Sequence, residues 1–320
     1  MTTTELFQDI FETNVTITGN LVEGKSHSAF SNQQQTNEMF SEKWKKVEAK
    51  DNLAAMEDFQ KNWYLTLYGF KNEEELASFL AAKKIIIDAG CGLGYKAEWF
   101  AKLSPGSTVI GIDFSEAVYI AAHKYTSVPN LLFVHEDIAN TNIKKGIVDY
   151  VSCDQVIHHT ENPGQTFAHL SELLAPRGEL ACYVYAKKAL PRELLDDYFR
   201  KAVHNFSKEQ LWEFSKQMTE LGKRLSKLDV KINSPDIPLL GIKEGEYDIQ
   251  RFIYWNFMKC FWREDWSTEL CDSTNFDWYS PSNAARYSVE EFNIWGTNNN
   301  LVKVFSHTEE ACHTGRFKKI

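Results

Sequence analysis

A chain of 320 residues with 43% hydrophobic content can bury one large core and still carry a sizeable addition to it. Its 35 Lys and Arg stand against 44 Asp and Glu, and the resulting net charge of −9 disfavours sequence-independent attraction to nucleic acid or to an anionic membrane. Six cysteines without C-x-x-C spacing argue against a zinc ribbon, an iron–sulfur cluster or a disulfide framework, so buried free thiols and no metal are expected.

The opening "MTTTELFQDIFETN" is acidic and lacks the basic start and apolar centre of a signal peptide. No apolar run approaches ~20 residues, so a cytoplasmic chain with no membrane partner is expected. Residues 1–80 hold polar helical segments, "SNQQQTNEMFSEKWKKVEAK" and "EEELASFLAAK", which predict an N-terminal helical arm over a sheet edge. Within 81–187, apolar runs such as "KIIIDAG", "STVIGID", "NLLFVHED", "IVDYVSCD" and "GELACYVY" alternate with helical patterns. Continuous apolar strands separated by helices predict an α/β, doubly wound (Rossmann-like), mainly parallel seven-stranded sheet covered on both faces.

Residues 188–280 predict an aromatic-rich helical insertion between strands 5 and 6, with no strand run. "PRELLDDYFRKAVHNF" and "SKEQLWEFSKQMTELGKRLSKL" read as amphipathic helices and "YDIQRFIYWNFMKCFWREDW" as a third, largely buried one. Such an insertion suits a substrate chamber or a homodimer face. In 281–320, Ser288 is the expected N-cap of a helix with Glu291 in the capping-box position, and "LVKVFSH" and "ACHTGRFKKI" return to the sheet as closing strands.

The stretch "IIIDAGCGLG" puts Asp88, Gly90, Gly92 and Gly94 in the loop after the first core strand, where open parallel sheets bind ligands. A phosphate-cradling G-x-x-x-x-G-K-[ST] loop does not fit, because Lys96 follows Gly94 by two and precedes Ala97. A dinucleotide loop has G-x-G-x-x-G, whereas the spacing here is G-x-G-x-G with an acid at the strand end. Asp88 is awkward beside a pyrophosphate but suits a cationic, phosphate-free nucleoside, either by accepting from an ammonium group or by holding the loop amides. S-adenosylmethionine is such a ligand. Asp113 is placed to accept from ribose hydroxyls, as it would for NAD. Asp137 is placed to accept from an adenine amine while Ile138 packs on the ring, and Asp154 and Gln155 face the methionine end.

Together "IIIDAGCGLGY", "VIGIDFSEA", "LLFVHEDI", "DYVSCDQVIHHTENP" and "LAPRGELACYVY" resemble the class I S-adenosylmethionine-dependent methyltransferase family, over roughly residues 80–186. The resemblance implies cofactor contacts from Asp88, Gly90, Gly92, Gly94, Asp113, Phe114, Asp137, Ile138, Asp154 and Gln155. "NQQQTNEMFSEKW" and "DWYSP…RYSVEEFNIW" are similar to flanks of bacterial methyltransferases of small molecules and surface sugars, without the zinc ribbon some of those carry.

The expected reaction is therefore in-line methyl transfer from S-adenosylmethionine to a small-molecule acceptor, such as a metabolite, a natural-product intermediate or an activated sugar, leaving S-adenosyl-L-homocysteine. A nicotinamide-dependent oxidoreductase, a peptide or protein methyltransferase and an inactive cofactor-binding subunit are the alternatives. A hydroxyl acceptor needs a base, for which His158, His159 and Tyr279 are candidates, though loop packing is the simpler role for the two histidines. Trp255, Trp278 and Tyr279 are candidate acceptor contacts, the last two in a "DWYSP" turn. The aromatic group Phe252, Tyr254, Trp255, Phe257, Phe261, Trp262 and Trp266 suits either a wall for a cationic amine or ordinary packing. Gln35, Phe40 and Trp44 of the arm are placed to close over the cofactor.

Overall fold

The computed structural model describes residues 7–24, 30–48 and 53–320. The chain enters through a short hairpin, β1 (Ile17–Thr18) and β2 (Leu21–Glu23), turned at Gly19 with φ +64°. Three helices follow, α1 (Ser31–Glu48), α2 (Leu53–Tyr68) and α3 (Glu73–Ala81), the last capped by Asn72, whose side chain accepts from Glu75 N. The core then alternates: β3 (Ile85–Ala89), α4 (Tyr95–Leu103), β4 (Thr108–Asp113), α5 (Ala117–Lys124), β5 (Leu131–His135) and β6 (Val148–Cys153). A single 3-10 turn at Ile157–His159 leads to α6 (Pro163–Leu173), started by Asn162 and Pro163, and to β7 (Leu174–Ala186).

Beyond β7 lie α7 (Leu190–Val203), α8 (Lys208–Ser226), the hairpin β8 (Lys231–Ser234) and β9 (Gly245–Asp248), α9 (Ile249–Asn256) and α10 (Thr268–Tyr279). The chain returns through β10 (Arg286–Tyr287), α11 (Val289–Asn298), β11 (Leu301–Thr308) and β12 (Cys312–Lys319). Capping boxes at Ser207 with Gln210 and at Ser288 with Glu291 start α8 and α11.

The sheet order is β1-β2-β5-β4-β3-β6-β7-β12-β11, with β10 paired to the end of β7. Seven of these strands, β5-β4-β3-β6-β7-β12-β11, are the expected doubly wound sheet. Its first five are parallel, and β12 runs antiparallel to both neighbours. Alternate residues feed the two faces: Ile87, Ile110, Leu132 and Val151 join one core, Ile86, Val109, Phe133 and Tyr150 the other. Both faces are buried, which is why the strands read as unbroken apolar runs. The order reverses beside β3, placing the ends of β3, β4, β5 and β6 on one rim.

Four expectations need correction. The N-terminal arm is not wholly helical, because β1 and β2 extend the sheet edge beside β5. The insertion does contain strands, β8 and β9, paired antiparallel. The third insertion helix stops at Asn256, because the backbone beyond it bonds to side chains. Phe261 N donates to Asn275 Oδ1 at 2.8 Å, Asn275 Nδ2 to Phe261 O at 3.1 Å and Gln250 Nε2 to Cys260 O at 2.9 Å. "DWYSP" is in turn the end of α10, a helix capped by Ser267.

Candidate cofactor and acceptor site

The loop after β3 is held by its neighbour strand. Gly90 N and Cys91 N donate to Ile112 O at 2.7 and 3.0 Å, and Gly92 N donates to Asp113 Oδ2 at 2.7 Å. Asp113, rather than Asp88, therefore caps the loop. Its other oxygen, Oδ1, accepts from Ser115 N at 2.7 Å and Ser115 Oγ at 2.6 Å. Gly90 and Gly94 adopt φ +81° and +78°. A Cβ at Gly90 would meet Val156 at 2.4 Å, and one at Gly94 would meet Ala121 and Phe133 at 2.8 Å. Gly94 thus serves helix-to-strand packing and lies off the cavity wall.

Behind the loop sits a buried charge cluster. Lys96, on the first turn of α4, donates to Asp154 Oδ2 at 2.7 Å and lies 4.0 Å from Asp88 Oδ1. Burial alone would lower its pKa, but Asp154 and then Asp88 offset this and hold it above the ordinary lysine value. Tyr68 OH donates to Asp154 Oδ1 at 3.0 Å. Asp88 is 1% exposed, and neither of its oxygens has a donor in good geometry. Burial pushes its carboxyl up to about 6, against the pull of Lys96.

Along the rim, Asp137 accepts from Ala139 N at 2.9 Å through Oδ1, and burial raises its pKa. Phe114 and Ile138 supply apolar surface to the same cavity. Gln155 holds φ +64°, a conformation uncommon outside glycine, and donates to Gln60 Oε1 at 2.6 Å.

One cavity of about 460 Å³ runs from this rim into the insertion. Of the anticipated residues it reaches Gly90, Gly92, Asp113, Phe114, Asp137, Ile138, Asp154, Gln155, His159, Trp255 and Trp278; Asp88, Gly94, His158 and Tyr279 lie outside its lining. His158 is fully buried against Tyr185, ring centroids 3.7 Å apart, and burial holds its pKa far below the usual histidine value. Tyr279 donates its hydroxyl proton to Lys259 O at 2.6 Å. His159 Nδ1 donates to Asn283 O at 2.7 Å, which leaves Nε2 as acceptor, 3.5 Å from Tyr185 OH. Burial lowers this imidazole to about 4, so it is neutral at pH 7.

The arm covers the cavity from above. Phe40 packs edge-on to His159 at 4.8 Å, and Trp44 lies 3.2 Å from where a Gly92 Cβ would stand. Gln35 instead ties the arm to the insertion, through Ser280 O at 2.9 Å and Ser282 N at 2.8 Å. The sequence reading missed Lys96, Lys43, the α2 face with Phe59, Gln60 and Trp63, and the cations Lys188, Arg192 and Lys259. A helical stripe at 33, 36, 37, 40 and 44 in α1, and a lysine on the buried face of α4, were the available signals. Of the aromatic group, Tyr254, Trp255, Phe261 and Trp266 reach the cavity; Phe252, Phe257 and Trp262 do not. Among the described residues there is no metal-ligating cluster, and no helix is long and apolar enough to cross a membrane.

A family model described as a methyltransferase domain matches residues 87–182. The ubiquinone biosynthesis O-methyltransferase of Schizosaccharomyces pombe is 29% identical over 116 residues, 35% of this chain and 41% of that protein. A probable S-adenosylmethionine-dependent methyltransferase of Mycolicibacterium smegmatis is 32% identical over 114 residues, 35% of this chain and 43% of that one. The matches thus span less than half the length of either relative. The magnesium protoporphyrin IX methyltransferase of Synechocystis PCC 6803 superposes with a TM-score of 0.47 at 14% identity, over 92% of this chain and 100% of that one. The segment matched by the family model carries both the glycine loop and all four acidic strand ends, so residues 87–182 form a methyltransferase domain of the class I S-adenosylmethionine-dependent kind.

Proposed function

We propose that the protein binds S-adenosylmethionine along the rim of the sheet and methylates a small-molecule acceptor held beneath the insertion. The observation that carries this reading is the single cavity joining the Gly90–Gly92 loop and Asp113 to a chamber of Tyr185, Trp255 and Trp278. The residues present fit the cofactor. Asp113 and Asp137 retain lone pairs for ribose hydroxyls and an adenine amine beyond their own backbone bonds. Phe114 and Ile138 offer apolar contact to a ring. Asp154 and Lys96, which line the cavity, carry both signs of charge, which suits the ammonium and carboxylate of an amino-acid end, with Asp88 buried behind them and 4.0 Å from Lys96.

When bound, the cofactor supplies a sulfonium methyl carbon open to in-line attack. The chain's own contribution is alignment and exclusion of water: Phe40 and Trp44 close over the loop while Tyr185, Trp255 and Trp278 bound the acceptor. His159 Nε2 is a weak base and suits orienting a hydroxyl better than holding its proton. The ubiquinone O-methyltransferase relative supports a small-molecule acceptor over a protein.

Calorimetric titration with S-adenosylmethionine, S-adenosylhomocysteine and NADH tests the reading. The first two are expected to bind and NADH is not. Binding of NADH alone overturns the cofactor assignment; where the first two bind, methyl-labelled donor then reports acceptors.

A further inference from the structure

The acceptor end of the cavity carries charge opposite in sign to the chain as a whole. Lys188, Arg192 and Lys259 line it around Trp255 and Trp278. Lys188 Nζ donates to three carbonyls, those of Ala186, Glu310 and Ala311. Arg192 donates Nε to Asp196 Oδ2 at 2.7 Å and a second nitrogen to Tyr254 O. Lys259 differs from both. It is 6% exposed, and among the described residues its Nζ has no ion-pair or hydrogen-bond partner, only the Trp278 ring at 4.7 Å. A buried ammonium without an acceptor is unfavourable unless a ligand supplies one.

The same geometry disfavours a cationic acceptor. The ring of Trp278 already carries Lys259 and, at 5.0 Å, Arg192, while Lys188 lies 5.3 Å from the Trp255 centroid. The nearby carboxylates are engaged: Asp277 with Lys43 at 2.6 Å, Asp196 with Arg192, and Glu309 facing His307 at 3.2 Å.

We propose that the acceptor is an anion whose carboxylate or phosphate is held by Lys259 with Lys188 and Arg192 beside it. This rests on reading the cavity as the acceptor site of a methyltransferase. Burial has pushed Lys259 down to about 8, with Asp277 raising it and Arg192 lowering it further; Asp196 and Lys43 face it as well. Burial pushes Lys188 down as well, to about 7. A bound anion favours the protonated form of both lysines, so anion affinity should be greatest below pH 7 and decline as the pH rises through 7 and 8.

The test is calorimetry on the S-adenosylhomocysteine-loaded protein with four probes of similar shape. These are 4-hydroxybenzoate, 4-hydroxyphenyl phosphate, neutral 4-hydroxybenzamide and cationic 4-hydroxybenzylamine. At least one anion is expected to bind about tenfold or more tighter than the neutral and cationic probes, and the tighter of the two anions decides between carboxylate and phosphate. Lys259→Gln should remove about 10- to 100-fold of that affinity and its decline above pH 8, and Lys259→Arg should restore part of it. Both variants should keep wild-type affinity for S-adenosylhomocysteine, which also shows that they fold. Equal binding of the neutral or cationic probe, an anion preference that survives Lys259→Gln, or no binding of either anion overturns the proposal. Failure of the wild type to bind S-adenosylhomocysteine instead overturns the methyltransferase reading, and the charge preference is then measured on the protein alone.

Discussion

The two ends of the cavity are built in different ways. At the rim proposed for the cofactor, Asp88, Asp113, Asp137 and Asp154 lie at or within two residues of the ends of four adjacent parallel strands, so strand register alone brings them together. At the end proposed for the acceptor, Lys43, Lys188, Arg192, Lys259 and Trp278 come from α1, the segments after β7 and α9, α7 and α10, and only tertiary packing unites them. The rim is acidic and the chamber cationic. A site built on register is robust to changes in its flanks, whereas one assembled from inserted helices is free to change its ligand while the sheet stays fixed.

The sharpest way to break this contrast is Asp113→Ala. The change removes the acceptor for Gly92 N, Ser115 N and Ser115 Oγ as well as the lone pairs left for a ribose. Affinity for S-adenosylhomocysteine should fall about 100-fold or more, with circular dichroism unchanged. Unchanged affinity would mean that the rim is not the cofactor site.

His159 sits where the two ends meet, and its proton equilibrium gives a second, smaller effect. Its imidazole lies near 4 in the fold, against an ordinary value of 6.5. The stability this neutral imidazole contributes is present above pH 6.5 and lost as the pH falls toward 4, by at most about 3 kcal/mol. Asp88, pushed up to about 6, acts in the opposite direction over much of that window. The comparison of wild type with His159→Asn isolates the histidine: melting temperatures should drop more steeply for wild type between pH 6.5 and 4. Parallel curves would show that His159 titrates in the fold at its ordinary value.

Trp44 probes whether the arm serves both ends. Trp44→Ala uncovers the loop at Gly92 and opens the cavity to water. A loss of about tenfold in cofactor affinity, with a similar loss of turnover, fits the apolar surface removed. A loss confined to acceptor KM would assign the arm to the chamber alone.

What could be read from the sequence follows the same division. The seven strands, their order of appearance and the acidic strand ends follow from apolar runs and local spacing. Lys96 was visible only as the residue that ruled out a P-loop; on the buried face of α4, beside Ala97 and Phe100, it marks a cation turned toward the strand ends. The apolar stretch after Asn256 mimics a helix because its aromatics recur at helical spacing. Asn275 on α10 and Gln250 on α9 itself decide its backbone instead. Lys188 and Lys259 show no pattern with Lys43 or Arg192 until the insertion folds over the sheet.

Tyr279 gives the smallest and most discriminating effect, because sequence position alone makes it a candidate base. In the fold its hydroxyl donates to the backbone carbonyl of Lys259, it lies off the cavity, and burial raises its pKa above the ordinary tyrosine value. A phenolate there would be buried next to the carbonyl that now accepts its proton. Tyr279→Phe should therefore cost about 1 kcal/mol of stability through the lost hydrogen bond, read as a small drop in melting temperature. Turnover should persist, because no proton path to an acceptor runs through this hydroxyl. A rise in acceptor KM with kcat retained would show that the bond fixes the Lys259 backbone, and so the ammonium it carries. A collapse of kcat with stability intact would make Tyr279 part of the chemistry and move the acceptor deeper into the insertion than the cavity extends.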